Sequence, residues 1–287
     1  MNISNSSIQI DVVAAGIRLV TLQTLGNIGF GHIGGAMSIV ETLAVLYGSE
    51  MRFDPNNPSW EKRDRLVMSK GHAGPALYAT LCLRGYFSKD LLLELNQGGG
   101  RLPSHCDMHK TPGIDMTTGS LGQGISTAIG IALGLRLDGS DNYTYLILGD
   151  GECNEGQVWE GAMFAAHHNL DNLIAFVDWN KLQLDGYSKE VMDMGDIGAK
   201  FNSFGWHVQT VKGHDTGAIQ AAIKDAKKAT RKPSVIVLDT VKGYGCEFAM
   251  NTASNHHMNF SKEEIEKAIA DAEQKLEHAK AKAAVRH

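Results

Sequence analysis

Two apolar runs, each stopping at a hard oxygen ligand, restrict what this chain can fold into more than any other feature. They are LGDGECNEGQ at 148–157 and FVDWNKLQLDG at 176–186, with a helical pattern near 157–169 between them. Strand, helix, strand is a βαβ unit, whose two strands lie parallel and close together. Neighbouring strands are about 4.8 Å apart, so residues just past their carboxyl ends converge on one point. Asp150 and Asn180, thirty positions apart, occupy those places. With the backbone carbonyl of Leu182 they supply three hard oxygens, leaving positions of a magnesium-type octahedron for phosphate oxygens and water. Gly151 lets backbone come close to a phosphate, and the helix beginning after Gly156 aims N–H groups and a positive dipole end at the same place. A Gly-Asp-Gly alone is ordinary turn chemistry. The second strand, with its amide in register, makes it a candidate site.

The same alternation extends along the chain. Apolar residues at helical spacing over 8–26 and 36–48, each closed by a glycine suited to a left-handed cap, frame the Gly-rich turn GNIGFGHIGG. RLVMS predicts a short buried strand, 75–85 a helix, and 98–124 an irregular segment dense in Gly, Pro and His. Beyond it the pattern predicts a helix over 125–138 and strands at 143–148, 173–178, 207–211 and 234–239, with a helix over 217–230. Ser261 with Glu264 is a capping-box spacing that opens a polar Ala/Glu/Lys-rich helix. The expectation is an α/β fold with a mostly parallel sheet and helices on both faces: one domain over 1–260, and a C-terminal helix over 261–287 packed on it or extending from it.

Composition excludes several alternatives. A formal charge of −5 with no Lys/Arg block gives no footprint for nucleic acid or an anionic membrane. No stretch approaches the roughly 18 apolar residues of a membrane span, and MNISNSSIQIDVV lacks the layout of a secretory leader. The four cysteines share no CxxC spacing, so reduced thiols in the cytoplasm are expected. No GxGxxG follows a predicted strand, which argues against a dinucleotide fold.

GDG followed by thirty residues and an Asn resembles the thiamine-diphosphate signature, and the surrounding motifs resemble transketolase. They are GFGHIGG at 29–35, MSKGHAGPALY at 68–78, RLPSHCDMHKTPGIDMTTGSLGQG at 101–124 and TVKGYG at 240–245. In the family's order they cover about 10–260, nearly the whole chain. The KGHA and TGSLGQG segments argue against an α subunit of a 2-oxo acid dehydrogenase. An intact Asp150, Asn180 and Gly151 argue against a silent assembly partner.

The resemblance implies a transferase with a PP-type thiamine-diphosphate domain, its cofactor held through Mg2+, or Ca2+ or Mn2+ in its place, by Asp150, Asn180 and the Leu182 carbonyl. It implies that His72 and Gly151 contact the diphosphate, that Gly119, Ser120 and Leu121 pack along the cofactor, and that His32 and His105 serve the sugar. Of twelve histidines, these stand in Gly-rich irregular segments that approach ligands, and imidazole suits proton movement at sugar oxygens near neutral pH. A late histidine that touches diphosphate and substrate matches His256, although His257 stands where the family has glycine. Ile33 and Cys106 replace family prolines. Glu155 matches a glutamate between two cofactor sites, and reads equally as a helix N-terminal carboxylate. Lys242 reads as a diphosphate contact or as a solvated lysine. The family's pyrimidine-binding half and its glutamate have no counterpart here. The chain therefore resembles the N-terminal subunit of a split transketolase, assembling as α2β2 with a pyrimidine-binding chain and acting on phosphorylated or otherwise anionic sugars.

Overall fold

The structure, a computed structural model, describes residues 7–250 and 252–285. Helix α1 (Ser7–Gly26) leads through a two-residue strand β1 (Phe30–Gly31) into α2 (Ile33–Met37) and α3 (Val40–Val45). Strand β2 (Arg65–Met68) precedes α4 (Gly74–Leu83), and the irregular stretch then gives way to α5 (Gly124–Leu137), β3 (Thr144–Gly149), α6 (Gly156–His167) and β4 (Leu173–Trp179). Two short helices, α7 (Ser188–Val191) and α8 (Ile197–Ser203), lead to β5 (His207–Lys212), α9 (Thr216–Ala226) and β6 (Ser234–Asp239). The described chain finishes with β7 (Met258–Asn259) and α10 (Lys262–Ala284).

The main sheet runs β2-β3-β4-β6-β5 with every pairing parallel. Side chains alternate across a strand, and the two faces collect separate cores. Tyr145, Ile147, Ile174 and Phe176 join the core of α1 to α4, α9 and α10, while Leu146, Leu148, Ala175 and Val177 join that of α5, α6 and α8. Both faces are covered by helices, as the uninterrupted apolar strands require. Register pairs Gly149 with Asp178, so the residues beyond them emerge side by side. A small antiparallel pairing of Phe30 with Asn259 brings the backbone before His32 against the backbone after His257. Among the described residues, no helix is long and apolar enough to cross a membrane.

Three expectations need correction. The helix expected over 36–48 starts at Ile33, breaks at Ile39 and closes in a π-type turn, Leu46–Glu50, with Met51 N–H donating to Leu46 O at 2.8 Å. The break sits beside Ser38, whose hydroxyl is drawn to Asp178 at 2.6 Å, a tertiary demand that local spacing does not reveal. Neither Gly26 nor Gly48 adopts positive φ. The left-handed position after α1 is Gly29, whose N–H donates to Leu25 O. Helix α9 ends at Ala226, short of the expected 230. Helix α8 went unread: Asp196 caps it by accepting the Ala199 N–H, and Ile197 and Phe201 enter the second core.

The capping box of α10 forms in full: the Ser261 hydroxyl accepts from Glu264 N–H at 3.1 Å, and the Glu264 carboxylate from Ser261 N–H at 2.7 Å. Its first turns bury Ile265, Ala268 and Ala272, and the rest is mostly exposed. Phe201→Ala should destabilise the protein by about 3–5 kcal/mol, because a fully buried ring leaves a cavity. Urea unfolding measures this, and a loss below ~1 kcal/mol would show that the second core is not packed around α8.

Candidate active site

The carboxyl ends of β2, β3, β4 and β6 meet around Asp178, the residue paired with the last one of β3. Its carboxylate is fully buried and accepts from Ser38 Oγ at 2.6 Å, Asn180 Nδ2 at 2.9 Å and Thr240 Oγ1 at 2.5 Å, as well as from the Lys70 ammonium. Burial alone would raise its pKa, and Lys70 with the hydroxyls more than offsets that, leaving it lowered. Lys70, just past β2 and 1% exposed, also donates to Gly35 O at 2.9 Å. This network turns the Asn180 amide: with Nδ2 spent on Asp178, Oδ1 is left as the acceptor, taking Leu182 N–H at 3.1 Å.

Asp150 lies one step past β3 and is buried. Its carboxylate accepts from Gly151 N–H at 2.8 Å, Lys181 N–H at 2.8 Å and Ser188 Oγ at 3.0 Å, and has no ion pair among the described residues. Burial and the nearby Asp178 charge push its pKa up to about 6, which marks a carboxylate short of positive charge. The Leu182 carbonyl accepts the Lys242 ammonium at 3.0 Å, so that oxygen already receives a cation. Asp150, Asn180 and Leu182 line one cavity of about 310 Å3 with Lys70, His72, Lys242 and His256. Among the described residues, no three His, Cys, Asp or Glu side chains group to hold a metal. One carboxylate, one amide and one carbonyl suit a hard cation that completes its shell with ligand oxygens. The positively charged or N–H-bearing groups beside them suit a diphosphate. The residues present fit thiamine diphosphate and a divalent ion.

The predicted histidines come together. His32 stands between His72, His105 and His256, with ring centroids 5.8, 5.1 and 5.6 Å away, and His72 lies 4.5 Å from His256. Burial, then His257 and His105, lowers His32 to about 4; burial, then Lys242, lowers His256 to about 3. Burial first lowers His72 and His105 as well. Each shift favours the neutral imidazole, which offers one N–H and one lone pair, and His256 turns its Nδ1 to the Lys242 ammonium at 3.3 Å. His256 rather than His257 lines the cavity with Asp150; His257 is exposed, 4.6 Å from His32.

Other expectations meet mixed outcomes. Gly119 has φ +141° and leaves no slack against the His105 ring, where a Cβ would stand at 3.3 Å. Ser120 and Leu121 are exposed, Leu121 at the cavity edge. The space on the Cβ side of Gly151 is filled by Gln183, whose Cγ would lie 2.9 Å from a Cβ there, so a larger residue would displace that side chain. Glu155 is exposed at the cavity rim and makes no side-chain cap bond to α6, which removes the capping hydrogen bond but not the dipole reading. Lys242 is 1% exposed, so the solvated reading is wrong.

Sequence reasoning missed Lys70, Asp178 and Glu152. Lys70 stood within the quoted MSKGH motif, whose histidine alone was read. Glu152 is buried and accepts Gly122 N–H at 2.9 Å, Gly149 N–H at 3.0 Å and the Ser69 hydroxyl, tying the 119–122 turn to the end of β3. Its signal was an acidic residue directly after GDG.

This fold and site define a thiamine-diphosphate-binding domain. Residues 9–276 match the family described as transketolase, thiamine diphosphate binding domain. The chain belongs to the transketolase family, whose members are transferases. It is 51% identical over 270 residues to the 6-deoxy-6-sulfo-D-fructose transketolase subunit SqwG of Clostridium sp. (strain MSTE9), covering 94% of this chain and 98% of that one. It is 36% identical over 247 residues to an apulose-4-phosphate transketolase subunit of Phocaeicola vulgatus, covering 86% and 88%. A mutant transketolase from Pichia stipitis superposes with a TM-score of 0.86 at 32% identity over 95% of this chain and 44% of that chain. The chain thus spans less than half of that solved transketolase.

The raised Asp150 pKa has a sign that can be tested. A folded pKa near 6, above the ordinary 3.8, contributes stability that is complete below pH 3.8 and lost above pH 6. At pH 7.5 Asp150→Asn removes that charge penalty, so the thermal midpoint of the metal-free protein should not fall below wild type. Adding Mg2+ with thiamine diphosphate should raise the wild-type midpoint and leave the variant unmoved. An equal rise in both would take Asp150 out of the metal site.

Proposed function

We propose that this chain is the diphosphate- and metal-binding subunit of a transketolase that moves a two-carbon ketol unit from a ketose donor to an aldose acceptor, working with a separate pyrimidine-binding chain as α2β2. The observation that carries the reading is the convergence of Asp150, Asn180 and the Leu182 carbonyl on one cavity. Those three are the ligands we assign to Mg2+, with Ca2+ or Mn2+ acceptable to the same hard oxygens. Lys242, His72 and His256 are the groups for the diphosphate. Gly119, Ser120 and Leu121 run along the cofactor, with Gly151 under Gln183 and Glu155 at the rim.

When bound, thiamine diphosphate supplies a thiazolium carbanion that takes up the two-carbon unit. The protein's residues handle the oxygens. His32 and His105, neutral at pH 7, can each donate a hydrogen bond to one sugar oxygen while accepting a proton from another. His256, beside both His72 and Lys242, links the sugar side to the diphosphate side. The setting we propose is the cytosol, where four unpaired buried cysteines stay reduced. The donor is an anionic ketose, and the name of the 51%-identical relative makes 6-deoxy-6-sulfo-D-fructose the first to test against phosphorylated and branched ketoses.

Mixing this chain with a pyrimidine-binding transketolase subunit should create ketol transfer that requires both thiamine diphosphate and Mg2+, whereas full turnover by this chain alone would end the two-chain reading. In the mixed enzyme, His105→Ala should lower donor turnover about 100-fold, the usual share of a proton-handling group. Cofactor affinity, measured by calorimetry, should hardly change. Undiminished turnover would remove His105 from the reaction.

A further inference from the structure

The loop that delivers Lys242 to the cofactor cavity is held from its other side by a hydrogen-bonded chain built on a buried ion pair. Glu41, in α3, is 4% exposed. Its Oε1 accepts Arg18 Nη2 at 2.5 Å, and its Oε2 faces His214 Nδ1 at 3.0 Å. His214 Nε2 accepts the Val241 N–H at 2.9 Å. A backbone N–H can only donate, so Nε2 is the bare nitrogen and Nδ1 carries the proton given to Glu41. Arg18 Nε donates to Tyr244 O at 3.2 Å, and the Tyr244 ring stacks on His214 with centroids 3.7 Å apart. Gly245, at φ +84°, leaves room for Arg18, whose Nε would lie 2.5 Å from a Cβ there. A second cavity of about 730 Å3, lined by Arg18, Glu41, His214, Tyr244 and Cys246, lies on that side of the loop.

Burying the Arg18–Glu41 ion pair has a desolvation cost, which a loop of no consequence would not require. Between the two pinned points lie Lys242 and Gly243, and the Lys242 ammonium bonds Leu182 O at 3.0 Å and Gln183 O at 3.2 Å and stands 3.3 Å from His256 Nδ1. We propose that Arg18, Glu41 and His214 form a positioning clamp whose task is to fix the Lys242 ammonium inside the cofactor cavity. None of the three lines that cavity; Arg18 and His214 bond the backbone of Tyr244 and Val241, and Glu41 holds those two in place. The inference rests on the proposed function only for the reason Lys242 must be fixed.

Peptide-resolved acetylation with acetic anhydride tests the clamp without cofactor. Lys242 and Lys70 are both 1% exposed and should be protected in the wild type, with exposed Lys262 as the reference. In His214→Ala, labelling of Lys242 should rise about fivefold, the worth of one lost hydrogen bond, while Lys70 stays protected. In His214→Gln, whose Oε1 can accept the Val241 N–H, labelling should return most of the way to wild type. Unchanged Lys242 labelling in His214→Ala, or a rise of Lys70 labelling equal to that of Lys242, would overturn the clamp, the latter by showing general loosening.

A thermodynamic cycle adds the link to the cofactor. Calorimetric affinity for thiamine diphosphate with Mg2+ should fall about fivefold in His214→Ala and no further when His214→Ala is added to Lys242→Met. Independent, multiplying losses would overturn the claim that His214 acts through Lys242. Absence of cofactor binding by the wild type would instead strike the proposed function, and the labelling result would stand apart from it.

Discussion

The ion pair between Lys70 and Asp178 is the constraint around which the rest of the site is arranged. It joins the ends of two strands separated by β3, in a place where both partners are fully desolvated. Such pairs rarely add net stability, because the loss of hydration offsets their attraction, whereas removing one partner is costly. Its value here is geometric. The same carboxylate orders Ser38, Thr240 and the Asn180 amide, so α2, β6 and the 180–183 turn take their positions from one buried charge. Without Asp178, the choice of which Asn180 atom faces the cavity would be open.

The cavity holds two charges that the fold leaves unmatched. Asp150 is surrounded by N–H and hydroxyl donors and has its pKa raised, so it lacks a cation. Lys242 is lowered to about 8 by burial and by Lys70, and bonds neutral carbonyls rather than a carboxylate, so it lacks an anion. A divalent ion carrying a diphosphate is one negative and one positive partner in a single ligand, and it answers both deficits together. Neutral histidines on the remaining side avoid adding charge where hydroxyl protons would be exchanged. Burial is the largest cause of each lowered histidine pKa, so the same desolvation that raises Asp150 disfavours charge on the histidines.

What could be read from the sequence follows from what is local. Strand ends are local: Leu148 and Phe176 belong to runs whose apolar content marks burial on both faces, so Asp150 and Asn180 could be placed at strand tips from the residue order alone. The histidine segments were legible because Gly-rich motifs with a family order carry them. Lys70 and Asp178 were not, since their meaning is mutual and they are 108 positions apart. That Gln183 folds back over Gly151 was equally hidden, because nothing in the glycine's own neighbourhood in the chain indicates it. Helix α8 escaped for a different reason: at seven residues it shows barely two turns of periodicity, and its capping residue Asp196 lies among other turn formers. The break at Ile39 likewise depends on a partner 140 positions from Ser38.

The surroundings of the cavity bear on why such a site would need a second chain. Leu121 is 38% exposed and Leu184 62% exposed, and both line the cavity that holds Asp150. Tyr187 and Met192, from the same segment as Leu184, are exposed as well. Apolar side chains gathered at the mouth of a polar pocket are what a covering surface would bury. Half-exposed His105 and exposed Ser120 leave this side of the histidine cluster open to water. The inner wall is built on strand tips, whereas the outer wall is loop and apolar rim, and that rim is the surface a second chain would cover if the proposed two-chain arrangement holds.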